Sequence, residues 1–342
     1  MLVVGGRGYL GRRVVRTLAL CDGLDVVAGG RGTDPAIDLL RPDTFVGLDG
    51  FDLVINCADS VVAPPDAAAA HVLTHGGVWI ETSADAATSQ RLLALKAANP
   101  VGHVIVGAGL SPGLSTMLGR YVADLASPCT RVDLGVRMSP LSGAGRGSCR
   151  LAMARLDSVS PEPSDPSPLP IAYPDVGARD SIATESADTA LVRRAAGVSD
   201  ATSHIALRPA SLRRALAAVQ WLDERVGPLR SALRGLLHGA LVVLRTVVLR
   251  PLGTPVQLTA IANAGAADET TRSLAFNDAR DAHAMGIAAV VLLWQELEPP
   301  APGIALSAGL FGLDEALLRL SRSGLPPPAL VDPHRLSPPQ EP

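Results

Sequence analysis

Three glycines spaced two and then three residues apart, Gly6, Gly8 and Gly11 in "VVGGRGYLG", carry the clearest chemistry in this chain. The apolar run Leu2–Val4 precedes them, and from Leu10 onward Leu10, Val14 and Leu18 recur every four positions, as on one face of a helix. Between a strand and a helix, such a turn suits a dinucleotide phosphate. Gly6 permits the tight turn, Gly8 leaves the backbone open to a pyrophosphate, and Gly11 lets the helix pack on the strand. Arg7, Tyr9 and Leu10 complete the turn. The helix end then offers free N–H groups and a positive dipole end to phosphate oxygens. The plainer reading is a strand–turn–helix without a ligand.

The next strand, "LDVVAGG" (Leu24–Gly30), decides which dinucleotide is expected. An Asp or Glu at its end would bond a ribose 2′-hydroxyl. Here the strand runs into Arg31, whose guanidinium suits a 2′-phosphate by charge and by bidentate geometry. NADP, as NADPH, is therefore expected in preference to NAD. The third strand, "FDLVINCA", brings Asn56, Ala58 and Ser60 to the carboxyl edge of the sheet, where ligands bind in such folds. The fourth ends in "ETSAD" with Thr82, Ser83 and Asp85, and the fifth in "GAGLSPGLS" with Gly107, Gly109 and Ser111. The sequence predicts Ser111 as the cap of a second helix, with Pro112 at its first position.

Hydride transfer needs a proton donor near the developing negative atom. Asp85 and Tyr173 are the candidates, with His204 and His283 behind them. The bland alternatives are a helix cap for Asp85 and packing for the rest. The glycine-rich "SGAGRG" places Ser142 and Arg146 as substrate contacts or as part of a plain hairpin. His71 and His75 share a helical face four residues apart, but no third ligand is evident, so no metal is expected. Between Glu224 and Asp268 there is no acid, while Arg225, Arg230, Arg234, Arg245 and Arg250 accompany regularly spaced leucines. That basic helix, 225–250, suits weak contact with an anionic membrane surface, a pocket for an acyl or phosphorylated ligand, or the cover of a sheet or dimer partner.

These residues need a scaffold that delivers strand ends to one edge. Strands and helices alternate over the first third, with helices expected at Pro64–Gly77 and near Ser89–Asn99. This implies an α/β chain with an amino-terminal Rossmann doubly wound parallel sheet. After about Ala126 the pattern turns α+β, with strands "RVDLGVRM" and "GSCRLAMARLD" joined by a hairpin, helices near Ala187–Ala196 and Ala210–Val226, strands "VQLTAIANAG" and "TRSLAFND", and a long helix near Ala279–Leu297. The 342 residues suffice for two domains, and the formal net charge of −3 argues against a nucleic-acid partner. Four scattered cysteines read as reduced thiols of a cytoplasmic protein. The first strand leaves no room for a signal peptide, and no apolar run is long enough for a spanning helix.

The segments "VVGGRGYLGRRVVRTLA", "VVAGGR", "DLVINCA", "AAAAHVLTHGGVWIETSAD" and "VGAGLSPGLSTMLGR" occur in the order in which the saccharopine dehydrogenase-like family carries their counterparts. The chain resembles that family over most of residues 1–320. The resemblance implies an NADP-binding domain at 1–126 with a return at about 303–325 and an inserted α+β substrate and dimerisation domain at 127–302; by composition alone, 326–342 reads as a proline-rich tail that is disordered or laid on the surface. It implies an NADP-dependent oxidoreductase, a homodimer, reducing a C=O, C=N or C=C bond of a small-molecule substrate. One departure stands out. Saccharopine reductases resemble "GLSPGLSTML" but carry an Asp before the Pro and a polar set after the Gly, where this chain has Ser111 and then Leu114, Ser115 and Thr116. A changed substrate is expected. The alternative is an NADP-binding protein without net redox turnover: a sensor, a partner subunit or a redox-neutral enzyme.

Overall fold

The computed structural model describes residues 1–138, 168–184, 186–207 and 255–334. The expected strand over 147–157, the helices over 210–226 and 225–250, Ser142, Arg146 and the chain end from 335 lie outside the described residues.

The first part alternates strand and helix: β1 (Leu2–Val4), α1 (Gly11–Leu18), β2 (Val27–Gly29), a 3₁₀ helix (Pro42–Leu48), β3 (Leu53–Asn56), α2 (Asp66–His75), β4 (Val78–Glu81), α3 (Ala86–Leu93), β5 (His103–Val106) and α4 (Leu114–Leu125). The second part comprises β6 (Arg131–Met138), β7 (Leu169–Tyr173), β8 (Gly177–Thr184), α5 (Ala187–Ala196), β9 (Asp200–Leu207), β10 (Val256–Ala262), β11 (Thr270–Phe276) and α6 (Ala279–Glu296). The chain then adds β12 (Gly303–Leu306), a single turn α7 (Ser307–Leu310), α8 (Leu313–Arg322) and β13 (Ala329–Val331).

One sheet runs β12-β5-β4-β3-β1-β2, all parallel. β1 pairs with β2 on one side and β3 on the other, so the winding reverses between β1 and β3, and their carboxyl ends open a crevice. β3 and β4 are buried throughout, as parallel strands covered on both faces must be. Leu53 and Ile55 face one core with α1, α4 and α6, while Val54 faces the other with α2 and α3. β12 pairs with β5 in register Gly303↔His103, so the chain returns to this sheet after leaving it.

The second sheet runs β13-β11-β10-β6-β9-β8-β7, and only its β6–β9 pair is parallel. Among the described residues, the neighbours of β6 are β9 and β10. Three sequence expectations shift. The helix predicted near Ser89–Asn99 starts at Ala86, because the Asp85 carboxylate caps it through Thr88 N at 2.8 Å. α4 starts at Leu114 with Gly113 as its cap residue, and Ser111 turns elsewhere. Part of the expected tail, Ala329–Val331, is an edge strand antiparallel to β11. Among the described residues, no helix is long and apolar enough to cross a membrane.

Candidate active site

The glycine turn ties two strands together. Gly6 N donates to Val3 O at 3.0 Å and to Gly29 O at 3.1 Å, and Gly8 N donates to Gly5 O at 2.7 Å. A Cβ on Gly6 would lie 2.7 Å from Val3 O, and one on Gly11 2.2 Å from Gly5 O. A Cβ on Gly8 would lie 2.8 Å from Gly5 O, so the turn itself demands glycine there, independently of any ligand. No acid stands in the first turn of α1, which leaves its positive end unopposed. Arg31 is exposed just past β2, and Arg7 Nη1 donates to Gly32 O at 2.9 Å. Arg31 therefore stands just past β2, where an NAD site would present a carboxylate, and Arg7 is bonded to the same loop. The helix end without an acid, the crowded glycine turn and the two arginines fit the phosphates of a dinucleotide.

At the carboxyl edge of β3 and β4 the structure differs from the sequence reading. Asn56 and Ser60 are buried and spend their side chains on Glu81. Glu81 Oε1 accepts from Ser60 Oγ at 3.0 Å and Ser83 N at 3.0 Å. Its Oε2 accepts from Asn56 Nδ2 at 2.9 Å and Trp79 Nε1 at 3.2 Å. Asn56 Oδ1 accepts from Ala58 N at 3.1 Å, and Thr82 Oγ1 donates to Asn56 O at 2.6 Å. The side chains of Asn56, Ser60 and Thr82 thus brace the edge rather than line it, while Ala58 and Ser83 enter the network through backbone N–H groups. Burial pushes the Glu81 carboxyl up, against the pull of its four donors. Burial, with the Glu81 charge, also pushes the neighbouring Cys57 thiol up to about 12, so it is no nucleophile near neutrality. Sequence reasoning passed over Glu81. Its signal was a lone acid ending an otherwise apolar strand, "VWIE".

Past β5, the second part of the chain closes on the same edge. Gly107 has φ +82°, and Ser307 Oγ donates to its carbonyl. α6 crosses at Gly286, where a Cβ would lie 2.1 Å from Gly109 O. One turn earlier, His283 Cδ2 faces Gly109, 3.7 Å from where a Cβ on that glycine would stand. Its Nδ1 bonds Ala279 O at 2.9 Å; since a carbonyl only accepts, the proton is on Nδ1 and Nε2 keeps its lone pair. Burial pushes His283 below its ordinary range, so the imidazole is neutral. Beside it the buried carboxylate of Asp188, from α5, accepts from Ser111 Oγ, from Ser115 Oγ at 2.6 Å and from Thr116 Oγ1 at 2.8 Å. Ser111 is therefore bound to Asp188 instead of capping α4. Asp188 went unnoticed in the sequence because its partners lie more than 70 residues away.

The two proposed proton donors are otherwise engaged. Asp85 caps α3 and also accepts from Thr88 Oγ1 at 2.7 Å. Tyr173 is wholly buried under Gly135, its hydroxyl 3.1 Å from Ser181 Oγ, and burial pushes it up to about 12. His204 is buried on the second sheet against Asp133 at 3.0 Å. His71 and His75 do meet a third group. Asp49 Oδ1 lies 2.6 Å from His71 Nε2, the two rings stack at 3.9 Å, and the three possible ligand atoms lie within 4.8 Å of one another. This cluster sits at the last turn of α2, at the amino end of the sheet, and the Asp49–His71 bond accounts for it without an ion.

The arrangement defines an α/β chain with a Rossmann sheet whose carboxyl edge is walled by helices from a second, mixed sheet. No family model matches the chain. No curated protein matches it either. Among solved structures, apo saccharopine dehydrogenase (L-Glu forming) from Saccharomyces cerevisiae is similar over 97% of this chain and 99% of that one, at 13% identity and a TM-score of 0.60. A mutant meso-dapdh with DAP from Clostridium tetani E88 covers 94% of this chain and 98% of its own, at 8% identity and a TM-score of 0.49. The chain has the saccharopine dehydrogenase-like fold.

Proposed function

We propose that this protein is an NADP-dependent oxidoreductase acting on a C=O, C=N or C=C bond, or its reduced counterpart, in a small molecule. The observation that carries the reading is the glycine turn at the β1/β3 crevice with Arg31 and Arg7 in place of an acid at the end of β2. When bound, NADP supplies the hydride chemistry. The chain's own residues do the rest. The amino end of α1 would hold the pyrophosphate and Arg31 the 2′-phosphate, while Arg7 fixes the Arg31 loop through Gly32 O. The Glu81 network keeps the ends of β3 and β4 rigid at the edge that would receive the nicotinamide. His283 is the group placed to handle the substrate proton. Its neutral Nε2 accepts a proton from a hydroxyl or amine as the substrate is oxidised and returns it on reduction.

Arg31→Ala tests the assignment by titration with NADPH and NADH. Loss of a charge-assisted contact is worth about 1.5–3 kcal/mol, roughly a 10- to 150-fold drop in NADPH affinity, with NADH unchanged. Equal loss for both cofactors, or none, refutes it. The second reading, NADP binding without turnover, draws on the engagement of Asp85 in a cap and the burial of Tyr173. Steady NADPH consumption across a panel of carbonyls and imines excludes it; binding without turnover across the panel favours it.

A further inference from the structure

A cavity of about 210 Å³ opens beside the glycine turn, lined by Tyr9, Arg12, Arg13, Arg16 and Arg280. Four of these five residues carry a guanidinium. Arg13 is paired with Asp281, and Arg280 with Asp278 through Nη2 at 2.6 Å and Nε at 2.9 Å. Arg12 and Arg16 are exposed and, among the described residues, have no acidic partner. They stand one helical turn apart on α1, where like charges repel. The lining thus holds about two positive charges in excess, and it runs along α1 from Tyr9, just before the helix, to Arg16 in its last turn. Arg280 is itself positioned, its Cζ 5.9 Å from the centre of the Tyr9 ring.

Size and position narrow the ligand. The cavity is smaller than the usual ~300–1,000 Å³ of a whole-ligand site, so it takes one end of a molecule. Guanidinium forks match phosphate oxygens. Arg280 and His283 lie three residues apart on α6, and Gly286, against Gly109, is three further on. At about 1.5 Å per residue, the cavity and the edge where His283 meets Gly109 are separated by under ~10 Å along the helix.

We propose that the cavity binds the phosphate group of a phosphorylated small-molecule substrate, with Arg12 and Arg16 as its ligands and Arg13 and Arg280 held in place by Asp281 and Asp278. This names the substrate class for the function proposed above and rests on that reading for the reaction alone; the anion site stands on the cavity itself. The rival source of the same chemistry is the pyrophosphate of the cofactor.

Calorimetric titration with inorganic pyrophosphate, on the protein alone and saturated with NADPH, separates the two. The expected result is binding in both states, weakened by added salt and reduced at least tenfold in the double variant Arg12→Ser/Arg16→Ser. NADPH affinity and the melting temperature of that variant stay within threefold and two degrees, respectively, as order-of-magnitude tolerances for exposed side chains. No binding to the wild-type protein, binding that survives the double substitution, or displacement by NADPH each overturns the proposal. If NADPH fails to bind at all, the cofactor reading falls, and the pyrophosphate titration of the two cofactor-free proteins still decides the anion site.

Discussion

Glu81→Gln puts the buried edge of β3 and β4 to a quantitative test. The carboxylate has two acceptor oxygens and serves four donors. Glutamine has one. With its oxygen in the place of Oε2, the bonds from Asn56 and Trp79 survive, and the new amide faces Ser60 Oγ and Ser83 N. The serine hydroxyl can rotate to accept; the backbone N–H of Ser83 cannot. With the oxygen in the place of Oε1, both the Asn56 amide and the Trp79 indole face a donor. The first orientation is the cheaper. It orphans one buried N–H, at about 1–3 kcal/mol, and exchanges charged for neutral hydrogen bonds. Against this stands the release of a buried charge, since burial is the largest influence on Glu81 and holds its pKa above the ordinary 4.5. A raised folded-state pKa means stability that is fully present below the unfolded value and lost as pH rises through the folded one. The penalty of the variant is therefore expected to be largest at pH 5, at most about 1–3 kcal/mol and roughly 1–2 °C per kcal/mol in a melt of a chain this long, and to shrink toward pH 8. Urea or thermal melts of both proteins at the two pH values check it. A penalty that grows with pH would mean that the four donors outweigh burial and that the carboxyl is depressed. No penalty at either pH would mean that the donors find other partners. Either result refutes the reasoning.

Gly286→Ala drives a Cβ to 2.1 Å from Gly109 O, a backbone atom that cannot step aside, so α6 must shift. About 1–3 kcal/mol of stability should go, with weaker NADPH binding, read by melting and by titration. Tyr173→Phe removes one buried hydrogen bond, to Ser181. About 1 kcal/mol in a urea melt is expected, with kcat unchanged; a hundredfold fall in kcat would return Tyr173 to the chemistry. At Asp133 burial is the largest single influence and pushes the carboxyl up, yet hydrogen bonds from His204 and Arg131 together bring it below its ordinary 3.8. Its stability is present above that value and lost as pH falls through the folded pKa, so Asp133→Asn should flatten the acid limb of a stability profile below about pH 4.

The phosphate turn was legible because a strand, a helix and three glycines within ten residues describe it completely. The same holds for β3 to β5, whose burial on both faces writes itself as unbroken apolar runs. The strands β8 and β9 were not legible: "GARDSIAT" and "DATSHIAL" carry polar residues on a partly covered sheet and show no apolar run. Site residues failed for a different reason. Glu81 meets Asn56 across 25 residues, Asp188 meets Thr116 across 72, and Asp49 meets His71 across 22. No local pattern encodes such meetings. What a sequence does hold is the anomaly of a charge in a place that should be buried, and the terminal acid of "VWIE" was one.

The altered segment "GLSPGLSTML" takes on another meaning once Asp188 is in place. In the sequence it marked the loss of polar groups that would grip an amino-diacid. In the fold, Ser111, Ser115 and Thr116 are polar but committed, all three donating to one buried carboxylate from α5. A carboxylate buried among three hydroxyls costs much to disturb, because truncating any donor leaves the charge short of partners. The cluster therefore joins the start of α4 to the second sheet's helices and leaves no hydroxyl free for substrate. In the proposed function, substrate recognition then falls to another wall of the crevice. Among the described residues, Arg12 and Arg16 on the α1–α6 side have no acidic partner, and His283 of α6 meets Gly109. The proposed phosphorylated substrate rests on this pairing of committed hydroxyls, Ser115 and Thr116 on α4, with the arginine-lined cavity beside α1.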